Sequence, residues 1–172
     1  MGASIDLRRE DGWTALMWAS AGGHGEVAEK LVGMGASIDL RAKNGRTALI
    51  LASAEGHGEV AEKVVGMGAS IDLRDEDGWT AMMWESCCGH GEVSEKMVGM
   101  GASIDLQDKA VQTTLMQTST QGHGEVAEKM VGMGASIDPQ DKIGRTALMW
   151  TSLYAHISDG HGELAEKLVG MG

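Results

Sequence analysis

The chain contains no phenylalanine and only one tyrosine in 172 residues. Large aromatic rings usually supply the bulk of a thick core. The interior must instead be assembled from Met, Leu, Val, Ile, Ala and five tryptophans, material that suits a thin, layered core. Cysteine is almost missing: Cys87 and Cys88 stand side by side. Neighbours in sequence cannot staple distant segments, and no second pair exists to complete a zinc site. The compartment expected from this is intracellular, cytoplasmic or otherwise reducing. No apolar run approaches the roughly 20 residues needed to span a bilayer, and no signal-peptide pattern opens the chain, so direct membrane insertion is not expected. The opening Met1-Gly2-Ala3-Ser4-Ile5-Asp6 places Asp6 where an N-myristoylation motif needs Ser or Thr. Basic charge is also short. The net charge of −11 argues against a phosphate backbone as ligand, so no nucleic-acid partner is expected.

What the chain does have is repetition, the first thing to seek in such a composition. Gly-Ala-Ser-Ile-Asp begins at Gly2, Gly35, Gly68, Gly101 and Gly134, each 33 residues after the last. Gly-His-Gly-Glu recurs with its histidine at His24, His57, His90, His123 and His161. The last of these steps is 38 residues, so the fifth copy carries five extra residues within Leu153-Tyr154-Ala155-His156-Ile157-Ser158-Asp159.

Each copy reads as helix, turn, helix, loop. Thr14 precedes the apolar run Ala15 to Ala19, and its hydroxyl can accept from the free amides of a starting helix. First helices are expected over Thr14–Ala21, Thr47–Ala54, Thr80–Cys87, Thr113–Thr120 and Thr146–Tyr154. Gly22 and Gly23 break the first of them. Glu26 opens a second helix, where a carboxylate suits the positive end. Val27, Ala28, Leu31 and Val32 give that helix its apolar stripe, and Gly33 and Gly35 stop it. The polar Arg41–Gly45 stretch is turn-like. One such unit cannot bury its own apolar faces, but stacked units share a continuous core.

The blocks Asp11-Gly12-Trp13-Thr14-Ala15-Leu16-Met17, Gly23-His24-Gly25-Glu26-Val27 and Gly35-Ala36-Ser37-Ile38-Asp39 resemble the ankyrin repeat family, and five in-phase copies extend the resemblance over essentially the whole chain. It implies an all-α ankyrin-repeat solenoid of stacked helix-turn-helix units with projecting hairpin loops. Residues 1–172 are expected to form a single array, either part of a longer one or covered at its ends. The family's Pro is replaced by Ala15, Ala48, Ala81, Thr114 and Ala147. Its His, which ties neighbouring repeats together, is replaced by Met17, Ile50, Met83, Met116 and Met149. Apolar packing should take over that role.

The copies differ mainly in the hairpin and in the first helix with its exit, the regions that line the concave binding face in this family. The resemblance therefore implies a non-catalytic scaffold that binds another protein there. Alternatives are a structural or assembly subunit inside a larger complex and the regulatory array of a larger enzyme. Trp13, Arg46, Trp79, Gln112 and Arg145 share one column, the residue before each capping Thr, and aromatic and Arg side chains dominate interface energetics. Arg41 and Lys43 of the second hairpin and Tyr154 at the exit of the last first helix complete the candidate protein-binding set. The invariant frame holds ten Glu, five Asp and five Lys, or −10 of the −11. The acidity thus belongs to the frame, where it serves solubility.

Catalytic, metal and cofactor chemistry finds no support. One His per repeat makes a ladder with rungs roughly 9 Å apart, whereas metal ligands must converge on one ion at about 2 Å. His156 is read as a surface residue of the insert. Gly-Met-Gly-Ala-Ser follows a helix rather than a strand and lacks the context of a phosphate loop. Cys87 and Cys88 have no basic neighbour except His90 to activate a thiol. Trp18, Trp84 and Trp150, in the middle of first helices, are expected to pack between repeats.

Overall fold

The computed structural model describes residues 4–154 and 159–170. Among them the regular structure is all helical, in five pairs: α1 (Ala15–Ala21) with α2 (Gly25–Gly33), α3 (Ala48–Ala54) with α4 (Gly58–Gly66), α5 (Ala81–Cys87) with α6 (Gly91–Gly99), α7 (Thr114–Gln121) with α8 (Gly124–Gly132), and α9 (Ala147–Tyr154) with α10 (Asp159–Gly170). The chain forms two compact units, Met1–Trp84 and Glu85–Gly172, divided within α5. In the first, α1 packs on α2 and α3, α3 on α4, and α2 on α4; in the second, α7 packs on α8 and α9, α6 on α8, α8 on α10 and α9 on α10. Each unit is a stack of ankyrin-type helix pairs.

The first helices start one residue later than the sequence suggests, because the threonines cap them rather than join them. The Thr14, Thr47, Thr80 and Thr113 hydroxyls accept the backbone N–H of Met17, Ile50, Met83 and Met116 at 3.3–3.4 Å. Gly33 is the last helical residue of α2, and the reversal falls on Gly35, with φ +93°. The insert begins as helix, since α9 runs to Tyr154, while α10 has 12 residues against nine in α2. His156 lies outside the described residues.

Packing follows most of the expected columns, but Met149 is 52% and Trp18 49% exposed. Met17, Ile50, Met83 and Met116, at the site of the family's histidine, are fully buried. The polar clasps between repeats come from elsewhere in the frame. Asp6 accepts the Ser37 hydroxyl at 2.6 Å and the Ser37 amide at 3.0 Å, and Asp39 treats Ser70 identically. Asp105 does the same for Ser136 at 2.5 and 2.9 Å. The Ser37 hydroxyl, then its amide, hold the Asp6 carboxyl below the ordinary aspartate range, against the upward effect of burial and with help from Arg8. On the second helices Lys63 pairs with Glu29 at 3.2 Å, Lys129 with Glu95 at 3.3 Å, and Lys167 with Glu128. His57 and His123 lie over the preceding repeat: a Cβ added at Gly23, whose φ is +74°, would stand 2.8 Å from the His57 ring, and one at Gly89 3.0 Å from the His123 ring.

The hairpins are built on one plan. The amide of Ala42 donates to the Arg46 carbonyl at 2.9 Å, that of Gly45 to the Ala42 carbonyl at 2.9 Å, and Gly45 takes φ +78°. This is a turn followed by a left-handed residue, a common short hairpin closure. Successive hairpins then touch through their backbones: Lys43 N–H donates to the Asp11 carbonyl at 2.9 Å and Glu76 N–H to the Asn44 carbonyl at 3.0 Å. Such a close approach leaves no room for a side chain. A Cβ on Gly45 would meet the Glu76 amide nitrogen at 2.7 Å. The fourth hairpin departs from this plan. Val111 occupies the glycine column and still adopts φ +62°. Among the described residues no backbone bond joins Lys142 to Ala110, the counterpart of the Lys43–Asp11 bond.

Candidate protein-binding surface

The residue before each capping threonine ends a hairpin, and the residue five positions later lies one turn into the first helix. The fold lays these two columns against each other. In the first unit Trp13 sits on Trp18 with ring centroids 4.6 Å apart, and Trp79 on Trp84 at 4.7 Å, both tilted by 50°. Arg9 lies over the Trp18 ring at 5.4 Å, and Arg46 reaches across to the Trp84 ring at 3.9 Å. In the second unit Gln112 accepts from the Gln117 amide at 2.7 Å, Arg145 lies 3.5 Å over the Trp150 ring, and Tyr154 stacks parallel to Trp150 at 5.9 Å. Half-burial of Trp13, Arg46, Trp79, Gln112, Arg145 and Tyr154 leaves one side of each group open. Arg41 and Lys43 are exposed. The Arg41 guanidinium also donates to the Arg74 carbonyl, as Arg8 does to the Arg41 carbonyl at 3.2 Å, so Arg41 is partly spent on joining hairpins. The tryptophans ahead of the threonines are therefore not loose surface groups. Their loss would also cost packing, about 0.5–1.5 kcal/mol for the aromatic pair alone.

Sequence reasoning missed the carboxylates that hold this surface. Asp75, Asp108 and Asp141 open the last three hairpins and are buried. Asp75 accepts the amides of Asp77 and Trp79 at 3.0 and 2.9 Å and the Trp84 indole N–H at 2.8 Å, with the Arg46 guanidinium 3.9 Å away. Asp108 accepts the amides of Ala110 and Gln112 at 2.7 and 2.9 Å and the Gln117 side-chain amide at 2.9 Å. Asp141 accepts the amides of Ile143 and Arg145 at 3.0 and 2.9 Å, the Arg145 Nε at 3.1 Å and the Trp150 indole at 3.2 Å. In the first two repeats this position holds Arg9 and Ala42, and the acceptor moves two residues on: Asp11 takes the Trp13 amide at 2.9 Å and Asn44 the Arg46 amide at 3.2 Å. The available signal was that each hairpin carries an Asp or Asn in at least one of two positions, the third hairpin having both Asp75 and Asp77. Carboxylates so fully engaged as acceptors fix side chains in place.

Burial pushes the Asp141 carboxyl up. The amides of Arg145 and Ile143, with the Arg145 side-chain hydrogen bond and charge, outweigh that and hold it below the ordinary value of 3.8. A carboxyl depressed by folding stabilises the fold at higher pH, and the benefit is lost as pH falls through its folded value. The stability difference between the wild type and Asp141→Asn should be constant near neutrality and narrow once pH drops below 3.8. Urea titrations at a series of acidic pH values would show it; a gap independent of pH would contradict the role given to this carboxylate.

Other candidate chemistry stays scattered. Burial, then the neighbouring Cys88, pushes the Cys87 thiol up, away from the thiolate form. Among the described residues no three His, Cys, Asp or Glu groups lie together in a way that could hold a metal ion. No described helix is long and apolar enough to cross a membrane.

Comparison with known proteins agrees with this geometry. No curated protein matches the chain. A family model described as ankyrin repeats in three copies matches residues 1–75 and again residues 23–108. Those two matches together cover more than half of the 172 residues. Ankyrin repeats generally mediate protein–protein interaction and are typically non-catalytic. With helix pairs, threonine caps and hairpins all in phase with that match, the chain belongs to the ankyrin repeat family.

Proposed function

We propose that this chain is a non-catalytic scaffold that holds another protein along its hairpins and first helices. The observation that carries the reading is the preset aromatic and guanidinium layer: Arg46 over Trp84 at 3.9 Å, Trp79 against the same ring, and the indole tied to buried Asp75 at 2.8 Å. Half-open Trp and Arg side chains whose rotamers are already fixed lose little entropy on binding, and these residue types lead the energetics of interfaces. Arg145, Trp150 and Tyr154 form a comparable layer in the second unit. Exposed Lys43 beside the first layer, with Trp13 and Gln112 in the same column as Trp79, would contact the partner's periphery. The second helices carry one repeated Glu and Lys pattern and face the partner in no way that distinguishes one repeat from another.

A photo-crosslinking residue placed at Lys43 or Lys142 in the hairpins should trap one discrete partner protein in extract from the source cells. The same residue at Glu59 or Glu125 on the outer helices should not. Arg46→Ala should weaken that partner about tenfold, the loss of one moderate hot spot. Equal trapping from the outer helices, or full affinity in the Arg46 variant, would overturn the reading.

A further inference from the structure

The first-helix column that holds Trp18, Leu51, Trp84 and Trp150 carries a carboxamide, Gln117, in the fourth repeat. The buried aspartates set what this column must supply. Asp75 takes the Trp84 indole N–H at 2.8 Å, and Asp141 takes that of Trp150 at 3.2 Å. An indole has one N–H and no acceptor, so its polar group is spent on the aspartate. Gln117 serves Asp108 in the same way, its Nε2 donating to the carboxylate at 2.9 Å. The other hydrogen of that nitrogen goes to Gln112 Oε1 at 2.7 Å. Because a carboxylate only accepts, these two bonds fix which end of each carboxamide is oxygen and which is nitrogen. They leave the Gln117 oxygen and the Gln112 nitrogen over. Among the described residues nothing donates to the first and nothing accepts from the second. Gln117 is only 7% exposed, yet its oxygen is not sealed in, and Gln112 is half-buried.

We propose that Gln112 and Gln117 read the side-chain amide of an asparagine or glutamine on the bound protein, so that the fourth repeat selects among partners. This rests on the scaffold reading given above and names the chemistry of one contact within it. The open acceptor and the open donor belong to two carboxamides already in contact. A partner carboxylate has no proton for the Gln117 oxygen, and an ammonium has no acceptor for the Gln112 nitrogen. A carboxamide has both, on neighbouring atoms of one plane. A main-chain peptide group has both as well, but it carries a Cα on either side and cannot follow an oxygen so deeply set. A side-chain amide ends in its two polar atoms and can. An apolar partner residue placed here would cover an acceptor with nothing to donate to it, the circumstance that lets a hydrogen-bonding site reject a wrong group.

Gln117→Trp keeps a donor for Asp108, as Trp84 and Trp150 do for their aspartates, and removes the acceptor; Gln112→Leu removes the donor. Circular dichroism melts would verify that both variants fold. Random peptides displayed on phage would be selected on the immobilised full chain and counter-selected on the Gln117→Trp variant. The survivors should share an Asn or Gln at one position. Replacing that residue by Leu in a synthetic peptide should weaken binding to the wild type about tenfold, and binding to either variant much less. Survivors with no shared Asn or Gln, or no survivors, would overturn the proposal. So would a loss of binding that follows N-methylation of a peptide bond and not replacement of the side chain. Peptides selected without the counter-selection separate this proposal from the scaffold reading. If Arg145→Ala weakens them while Gln117→Trp does not, the amide contact is wrong and the scaffold stands; if neither substitution matters, both are wrong.

Discussion

Gly45→Val should destabilise the protein by about 3 kcal/mol or more, the sum of a left-handed backbone forced on a branched residue, about 1–2 kcal/mol, and a lost buried contact of about 1–3 kcal/mol. The glycine has φ +78°, and its missing Cβ would lie 2.7 Å from the Glu76 amide nitrogen and 3.0 Å from the Asp75 carbonyl carbon. Those are backbone atoms of the next hairpin and cannot swing aside. Relief would require the hairpins to part, breaking the Glu76–Asn44 backbone bond of 3.0 Å. Asp75 belongs to the same stretch, so the damage should reach the Arg46–Trp84 layer. Chemical denaturation measures the first effect and the amide exchange rate of Glu76 the second. A variant within about 1 kcal/mol of wild type would mean that the hairpins are not held together as described.

The converse change should stabilise. Val111 occupies the column of Gly45 with φ +62°, a conformation that branched side chains adopt only under strain. Removing strain of about 1–3 kcal/mol, less about 0.4–1 kcal/mol for the extra freedom of an unfolded glycine, leaves Val111→Gly with a gain of about 1–2 kcal/mol. A chain of this size should then melt roughly 2–8 °C higher. The variant should also allow the fifth hairpin to close on the fourth, with Lys142 N–H donating to the Ala110 carbonyl as Lys43 does to Asp11. Slower exchange of the Lys142 amide would mark that bond. No gain in melting temperature together with unchanged exchange would show that Val111 is accommodated without cost.

The helix pairs were legible because their signals are local. A threonine before an apolar run, and a glycine where the backbone must turn left-handed, act within a few residues, and five copies repeat them. The starts of α1, α3 and α5 differ by one residue from the sequence reading only because a capping residue stands just outside its helix. The invariance of Glu29 and Lys30 and their equivalents could be noticed in the sequence but not explained. The explanation is a partner one repeat away, as in the 3.2 Å Lys63–Glu29 pair. The carboxylates under the binding surface were hidden for a similar reason. Asp75 looks like one more polar loop residue until the fold brings the Trp84 indole, nine positions further on, within 2.8 Å. Val111 was visible as the one exception in a glycine column, but only the hairpin geometry gives that exception an energy.

The Asp39–Ser70 clasp spans 31 residues and the Arg8–Arg41 contact 33. Contacts of such short and uniform reach make the chain's length an adjustable quantity. Deleting or duplicating a 33-residue segment severs one set of clasps and supplies an equivalent set from the neighbouring copy, without rethreading the chain. A gene encoding this frame can thus grow or shrink by whole copies while each intermediate still folds. Near-identical clasp residues beside divergent hairpins are the composition such a history leaves behind.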